Sequence, residues 1–254
     1  MNKTFRVYTV YTVIFFTAIV ILLSAGIFFY SRPLLSQTMD RAFICILAEI
    51  SLSFLFILVF RSIFLKTSSP EVFFIIIALG GVSFESFRTV VYLTHRFSSL
   101  YALYTFLPRA VYFGKLLTAL TLFVSGLFST GFQLQKQAPL FGLALLFAFL
   151  LSTTVPIDFS VSDVILLPGS RSPYIMQNIL YSFYLLAFIN YLTGALINKN
   201  PGFALTGLGL ALFSAGIELV FPLHTGVYMY TGFGLFTSGL ILAAYEINRI
   251  YSWM

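Results

Sequence analysis

The feature that most constrains this chain is a series of apolar runs, each long enough to cross a lipid bilayer. Eight can be read, at about 8–30, 42–65, 71–94, 108–130, 139–155, 173–197, 201–221 and 228–250. About 20 residues of helix cross a hydrocarbon core of about 30 Å. Strands of a membrane barrel would alternate in polarity over about ten residues, whereas these runs are continuous. Of the 254 residues, only 9% are charged and 59% are hydrophobic. A soluble domain carries about 25% charged residues, so lipid must be the solvent for most of this surface. The sequence predicts an all-α integral membrane protein, a polytopic bundle of about eight transmembrane helices. Residues 1–254 read as one transmembrane domain, and the fifth run is the shortest.

Prolines set most of the boundaries. Pro70, Pro108, Pro139, Pro173 and Pro201 each stand before or at the start of a run, where the missing N–H costs nothing. Pro156 and Pro222 follow run ends, and Pro33 and Pro168 fall in connections. None is read as lying in mid-run, where it would force a kink.

Charge in the connections gives an orientation. With the N-terminus inside, the inner side holds Lys3, Arg6, Arg61, Lys66, Lys136, Lys199 and Arg249. The outer side holds Arg32, Arg41, Arg96 and Arg171, offset by Asp40, Asp158 and Asp163. The positive-inside rule then predicts both termini cytoplasmic. The compact loops suggest a plasma membrane, a prokaryotic inner membrane in particular. The first run reaches Tyr30, longer than a usual signal-peptide core, and is read as an uncleaved anchor. The net charge of +6 sits mostly in short connections, where orientation and contact with anionic membrane lipids account for it. No basic run is long enough for a nucleic-acid arm, so nucleic acid is not an expected partner. The lone Cys45 lies within a run and is read as a packing residue.

Small residues mark tight packing. Gly207, Ala211 and Ala215 share one face of the seventh run, and Gly239 and Ala243 repeat the spacing in the eighth. Such residues let backbones approach where lipid gives no hydrophobic drive.

Against this background, charged residues inside the runs stand out. Insertion scales put Asp, Lys or Arg at about 2.5–3.5 kcal/mol at mid-helix. Glu49 lies in the second run, Glu85 and Arg88 in the third, Arg109 and Lys115 in the fourth, and Glu218 in the seventh. At 1.5 Å per residue, Glu49 and Arg88 fall roughly 10 Å below the outer boundary, and Glu85 and Lys115 roughly 10–15 Å. Glu218 and Arg109 fall at roughly 5 Å or less. All six therefore belong to the outer half, with Asn190 the main polar residue of the inner half. Glu85, Arg88, Thr89 and Tyr92 share a helix face, as do Tyr112 and Lys115, and Asn178, Tyr181 and Tyr184. Together they would line a polar cavity reached from the outer side. A purely structural set of ion pairs is the competing account, with Arg109 and Glu218 snorkelling to the interface. The apolar middle of the 156–172 connection suggests a segment lying on lipid or folded over the cavity.

No catalytic constellation, metal-ligand spacing or cofactor motif is visible; His95 and His224 both fall in outer connections. The leading expectation is a receptor-like or transporting protein that binds a small polar or amphipathic ligand from the extracytoplasmic side. Its ligand-binding candidates are Glu49, Glu85, Arg88, Arg109, Tyr112, Lys115, Asn178, Tyr181 and Glu218. Partners would be membrane lipids and, for a receptor, a membrane or signalling protein that carries the output. The alternative is a structural or accessory subunit of a membrane complex. A lipid-modifying enzyme ranks last.

Overall fold

A computed structural model describes residues 3–31, 37–91, 101–131, 137–155, 157–163, 167–170, 173–220 and 226–252. Residues 3, 37–40, 101–105, 157–163, 167–170, 173–174 and 252 are described by backbone alone. His95, Arg96 and His224 lie outside the described residues, as do Pro33, Pro156 and Pro222.

The chain is an all-α polytopic membrane bundle. In chain order the helices are α1 (Lys3–Ser31), α2 (Gln37–Thr67), α3 (Pro70–Val82), α4 (Tyr101–Ser129), α5 (Gln137–Thr154), α6 (Pro173–Ile197), α7 (Pro201–Val220) and α8 (Gly226–Ser252). After Val82, α3 tightens into a 3-10 turn over Ser83–Ser86 and continues as helix to Val91. Among the described residues, eight helices are long and apolar enough to cross a membrane. The shortest, α5, has 18 residues, about 27 Å of helix. Helices suit lipid because they pair most of their backbone groups within the segment.

Pro70, Pro173 and Pro201 open their helices as expected. Pro108 does not. The fourth helix begins at Tyr101, and Pro108 sits inside it. The polar Tyr101–Thr105 stretch adds helix ahead of the apolar run. One lost backbone hydrogen bond is tolerated in a membrane helix where neighbours support it.

The connection between α5 and α6 carries the other departure. Ile157–Asp163 and Leu167–Ser170 pair as an antiparallel hairpin, with Ile157 opposite Ser170 and Asp163 opposite Leu167. The register shifts between Asp158 and Ser162. Ile157–Ser162 alternates apolar and polar residues, a period-two signal for a strand.

Lipid outside and protein inside are both apolar, so burial is decided by position in the bundle. In α3, 83% of the apolar stretch is buried and in α4 72%, against 17% in α1. The centre is thus α3 against α4. α1 and α2 flank α3, while α5 and α6 pack on α4, and α7 bridges α6 to α8. Aromatic rings fill the centre, with Phe74 stacked on Phe128 at 5.5 Å and Phe73 edge-on to Phe141 at 5.9 Å.

The start of α1 and the end of α8 lie at one face of the bundle. Arg6 Nη1 donates to the Ser68 carbonyl at 2.7 Å, and Ser69 Oγ donates to the Tyr251 hydroxyl at 3.0 Å. These contacts gather the start of α1, the α2–α3 turn and the end of α8. Arg61 and Lys66 near the end of α2, Lys199 between α6 and α7, and Arg249 in α8 fall at this same terminal face.

Glycines place the backbones where lipid supplies no squeezing force. A β-carbon on Gly216 of α7 would stand 2.5 Å from the Phe236 amide nitrogen and 2.8 Å from the Gly232 carbonyl oxygen. One on Gly209 would stand 2.6 Å from the Gly239 carbonyl oxygen. The α7–α8 contact thus uses Gly209 and Gly216 against Gly232, Gly239 and Ala243. The Gly207–Ala211–Ala215 face is turned to α6, where Gly207 packs closely on Tyr191 and Phe188. The two α7 faces differ in consequence: one closes on α8, the other looks toward α6.

This geometry predicts opposite signs for one substitution. Gly216→Ala must push two backbones apart and should cost about 1–3 kcal/mol. Gly142→Ala, in open space on α5, should be neutral or gain up to about 1 kcal/mol from helix propensity. Thermal unfolding in lipid nanodiscs reads both; equal shifts would refute the close crossing.

Candidate functional site

The site is built at the crossing of α3 and α4. A β-carbon on Gly81 would stand 2.9 Å from the Gly114 carbonyl oxygen, and one on Gly114 would stand 2.6 Å from the Gly81 carbonyl oxygen. No other residue type allows this approach without displacing backbone. Glu85 lies one turn beyond Gly81, and Lys115 follows Gly114 directly. The crossing therefore brings an acid and a base from two helices to one point.

The 3-10 turn over Ser83–Ser86 adjoins this crossing. Residues i and i+3 align in such a turn, and Arg88 Nε forms an ion pair with Glu85 Oε2. Ser83 Oγ donates to Thr17 Oγ1 of α1 at 3.1 Å and anchors the turn from the other side.

Lys115 sits between two carboxylates. Its Nζ is 3.4 Å from Glu218 Oε1 of α7 and 3.8 Å from Glu85 Oε1. Glu49 of α2 is fully buried and in electrostatic reach of Glu85, Lys115, Arg88 and Glu218. Neither of its carboxylate oxygens has a hydrogen-bond partner. Counted back to the terminal face along their own helices, these residues and Tyr184 lie roughly 20–27 Å from it. They form one layer, in the half of the bundle away from the termini.

The charged layer itself encloses little space. A void of about 10 Å³ is lined by Gly81, Val82, Glu85, Lys115, Thr118, Tyr184 and Ile217, room for about one water. The larger space lies beside it, in a groove of about 540 Å³ between α6 and α7. Tyr181, Tyr184, Leu185 and Phe188 form one wall; Ala211, Ser214, Ala215, Glu218 and Leu219 form the other. On α6 the spacing is i, i+3, i+4, i+7, and on α7 Ala211, Ser214, Ala215 and Glu218 repeat it, so each wall is one helix face. The small residues on α7 leave the volume open. Below them Gly207 closes on Tyr191 and forms the floor. The groove is open at Leu185, whose side chain is exposed. At its inner edge Glu218 joins it to the ion pairs.

The expected site residues divide accordingly. Glu49, Glu85, Arg88, Lys115 and Glu218 meet in the layer, and Tyr181 lines the groove. Tyr112 is half-buried against the apolar core, one turn from Lys115. Arg109 and Asn178 are exposed. Tyr184 deserved greater weight from its spacing: it touches both spaces, and its hydroxyl is buried without a hydrogen-bond partner. Ser214 could have been found only by pairing α7 with α6.

The terminal half is more polar than the sequence reading expected. Glu71 and Glu246 are both buried there. Glu71 occupies the first turn of α3, beside Tyr251, with Oε2 unpartnered. Ser125 Oγ donates to the Glu71 carbonyl at 3.0 Å and lies 2.7 Å from the Tyr191 hydroxyl. Glu246 pairs with Arg249 at 2.7 Å and sits over the first turn of α7, where a β-carbon on Gly202 would stand 3.2 Å from Glu246 Oε2. Both carboxylates thus occupy the positive ends of helices, which stabilises them. Asn190 is only half-buried, against Gly126. Among the described residues, no group of three His, Cys, Asp or Glu side chains could hold a metal ion.

Lys115 holds two acids together, so its removal should be costly. Lys115→Met should lose about 3–5 kcal/mol, the usual loss when one partner of a buried pair is removed. Adding Glu218→Gln should return much of that loss, since it removes one of the stranded charges. A double-mutant cycle by thermal unfolding measures the coupling; additive losses would refute the pairing. No protein-family model matches this chain, and no curated protein or solved structure is significantly similar to it.

Proposed function

We propose that this protein binds a small amphipathic molecule that enters the α6–α7 groove sideways from the lipid. The observation that carries this reading is the continuity of the groove with the charged layer. Its wall is apolar over Leu185, Phe188, Ala211, Ala215 and Leu219, and it ends on Glu218, itself paired to Lys115. An apolar tail would lie along the wall while a polar head reaches Glu218 and the Tyr184 hydroxyl. Ligand sites are commonly apolar clefts with a few convergent polar groups.

The orientation follows the basic residues. Arg6, Arg61, Lys66, Lys199 and Arg249 gather at the terminal face, which supports a cytoplasmic position for both termini. The groove then lies in the outer half of a plasma membrane, and a prokaryotic inner membrane suits the compact connections. Binding suits a receptor or sensor better than a transporter. Below the groove, Gly207 closes on Tyr191 with its β-position 2.6 Å from the Tyr191 β-carbon, a packed floor that favours holding a ligand over passing it on. A receptor of this build passes its signal to a membrane protein partner.

The accessory-subunit reading draws on a different observation, the Glu85–Arg88 pair made within one helix. It predicts that filling the groove has no effect on any ligand. The experiment is a thermal-shift screen of amphipaths in nanodiscs with wild type, Ala215→Trp and Leu196→Trp. A ligand at 100 times its Kd stabilises the folded state by about 2.7 kcal/mol. Stabilisation of wild type and Leu196→Trp, lost in Ala215→Trp, is the expected result. Equal stabilisation of all three, or of none, would sink the groove as a binding site.

A further inference from the structure

Among the described residues, the charged side chains of the layer do not match in number. Among the described residues, three acids meet there, Glu49, Glu85 and Glu218, and two bases, Arg88 and Lys115. Arg88 pairs with Glu85. Lys115 divides itself between Glu218 and Glu85 at 3.4 and 3.8 Å, both longer than the 2.7–2.9 Å typical of a charge-assisted hydrogen bond. Glu49 has no hydrogen-bond partner on either oxygen and is 0% exposed. A buried carboxyl without a hydrogen-bond partner is costly, and ionising it there requires a cation beside it.

The groove supplies what the layer lacks. Its acid, Glu218, stands opposite a wall of aromatic rings, Tyr181, Tyr184 and Phe188. An acid facing aromatic rings is the chemistry that recognises alkylammonium groups, through ion pairing and the attraction of a cation to the ring face. Tyr184 adds a buried, unpartnered hydroxyl that can accept a hydrogen bond from an ammonium.

We infer that the ligand of this groove is a cationic amphipath, whose ammonium replaces Lys115 on Glu218 and frees Lys115 to pair with Glu49 and Glu85. This inference builds on the groove reading above and names its ligand class. Three acids then meet three cations, and no charge is left unpaired. Lys115 is the moving part. It is held loosely between two acids, and a flexible side chain can shift from one to the other without moving backbone. The ligand head never reaches Glu49; the lysine carries its charge inward.

The probes are dodecylammonium, dodecanol and dodecyl sulfate, added below micelle-forming concentrations to the protein in phosphatidylcholine nanodiscs. Discs doped with a dialkyldimethylammonium lipid form a separate arm, which distinguishes a membrane lipid from a free amine as the source of the cation. Wild type, Glu49→Gln, Glu218→Gln and Ala215→Trp run side by side, read as thermal midpoints and as ligand affinity. Dodecylammonium should raise the wild-type midpoint, while dodecanol binds at least tenfold more weakly and dodecyl sulfate does not bind. Glu218→Gln should abolish the preference for the cation. Glu49→Gln should weaken dodecylammonium at least tenfold, leave dodecanol unchanged, and leave the protein folded without ligand. Equal binding of amine and alcohol, blocked by Ala215→Trp, would overturn the cation but leave the groove standing. An unchanged amine affinity in Glu49→Gln would overturn the relay through Lys115. No stabilisation by any probe would overturn both readings together.

Discussion

The close approach of Gly81 and Gly114 is the contact on which the rest of this structure depends. Lipid does not press helices together as water does, so backbones must fit without obstruction. Where they fit, α3 and α4 form the centre and the other helices arrange themselves around them. The same two glycines place Glu85 beside Lys115. Packing and chemistry therefore share one cause: a crossing tight enough to form the core also forces two ionisable side chains into contact.

The consequence spreads outward through α7. One of its faces closes on α8 through Gly209 and Gly216; the adjacent face carries Ala211, Ser214 and Ala215 toward α6. Small residues thus do opposite things on the two sides. Against α8 they let backbone meet backbone. Toward α6 they leave space, because the bulky Tyr181, Leu185 and Phe188 hold that helix away above Gly207. Glu218 lies where the open space ends and the ion pairs begin.

The spans were legible in the sequence because lipid demands long continuous apolar runs and proline opens helices cleanly, as at Pro70, Pro173 and Pro201. The charged layer was legible because helix rise converts residue number into depth. Glu49, Glu85, Arg88 and Lys115 came out within a turn or so of one another on that arithmetic; Glu218 came out shallower, yet it pairs with Lys115 in the bundle. Azimuth was the hidden quantity. A helix surrounded by apolar neighbours, lipid or protein, has no hydrophobic stripe to say which way it faces. Hence Arg109 and Asn178 are exposed, and the Gly207–Ala211–Ala215 face looks at α6. Glu71 and Glu246 escaped notice because they sit at run ends, where an acid reads as interfacial. The Ile157–Asp163 strand did leave a signal in its alternation, overshadowed by the apolar 164–167 stretch after it.

The 3-10 turn in α3 has a mechanical meaning. A 3-10 helix advances 120° per residue and an α-helix 100°. Over the four residues Ser83–Ser86 the difference accumulates to about 80°. The segment 87–91 is therefore set at an azimuth that a continuous α-helix would not give it. α3 acts as a shaft with a torsional joint, its root fixed among buried neighbours and its tip bearing Arg88. Relaxing that turn to α-helix would also shorten it by about 0.5 Å per residue, so the tip would draw in as it turned while the root stayed in place.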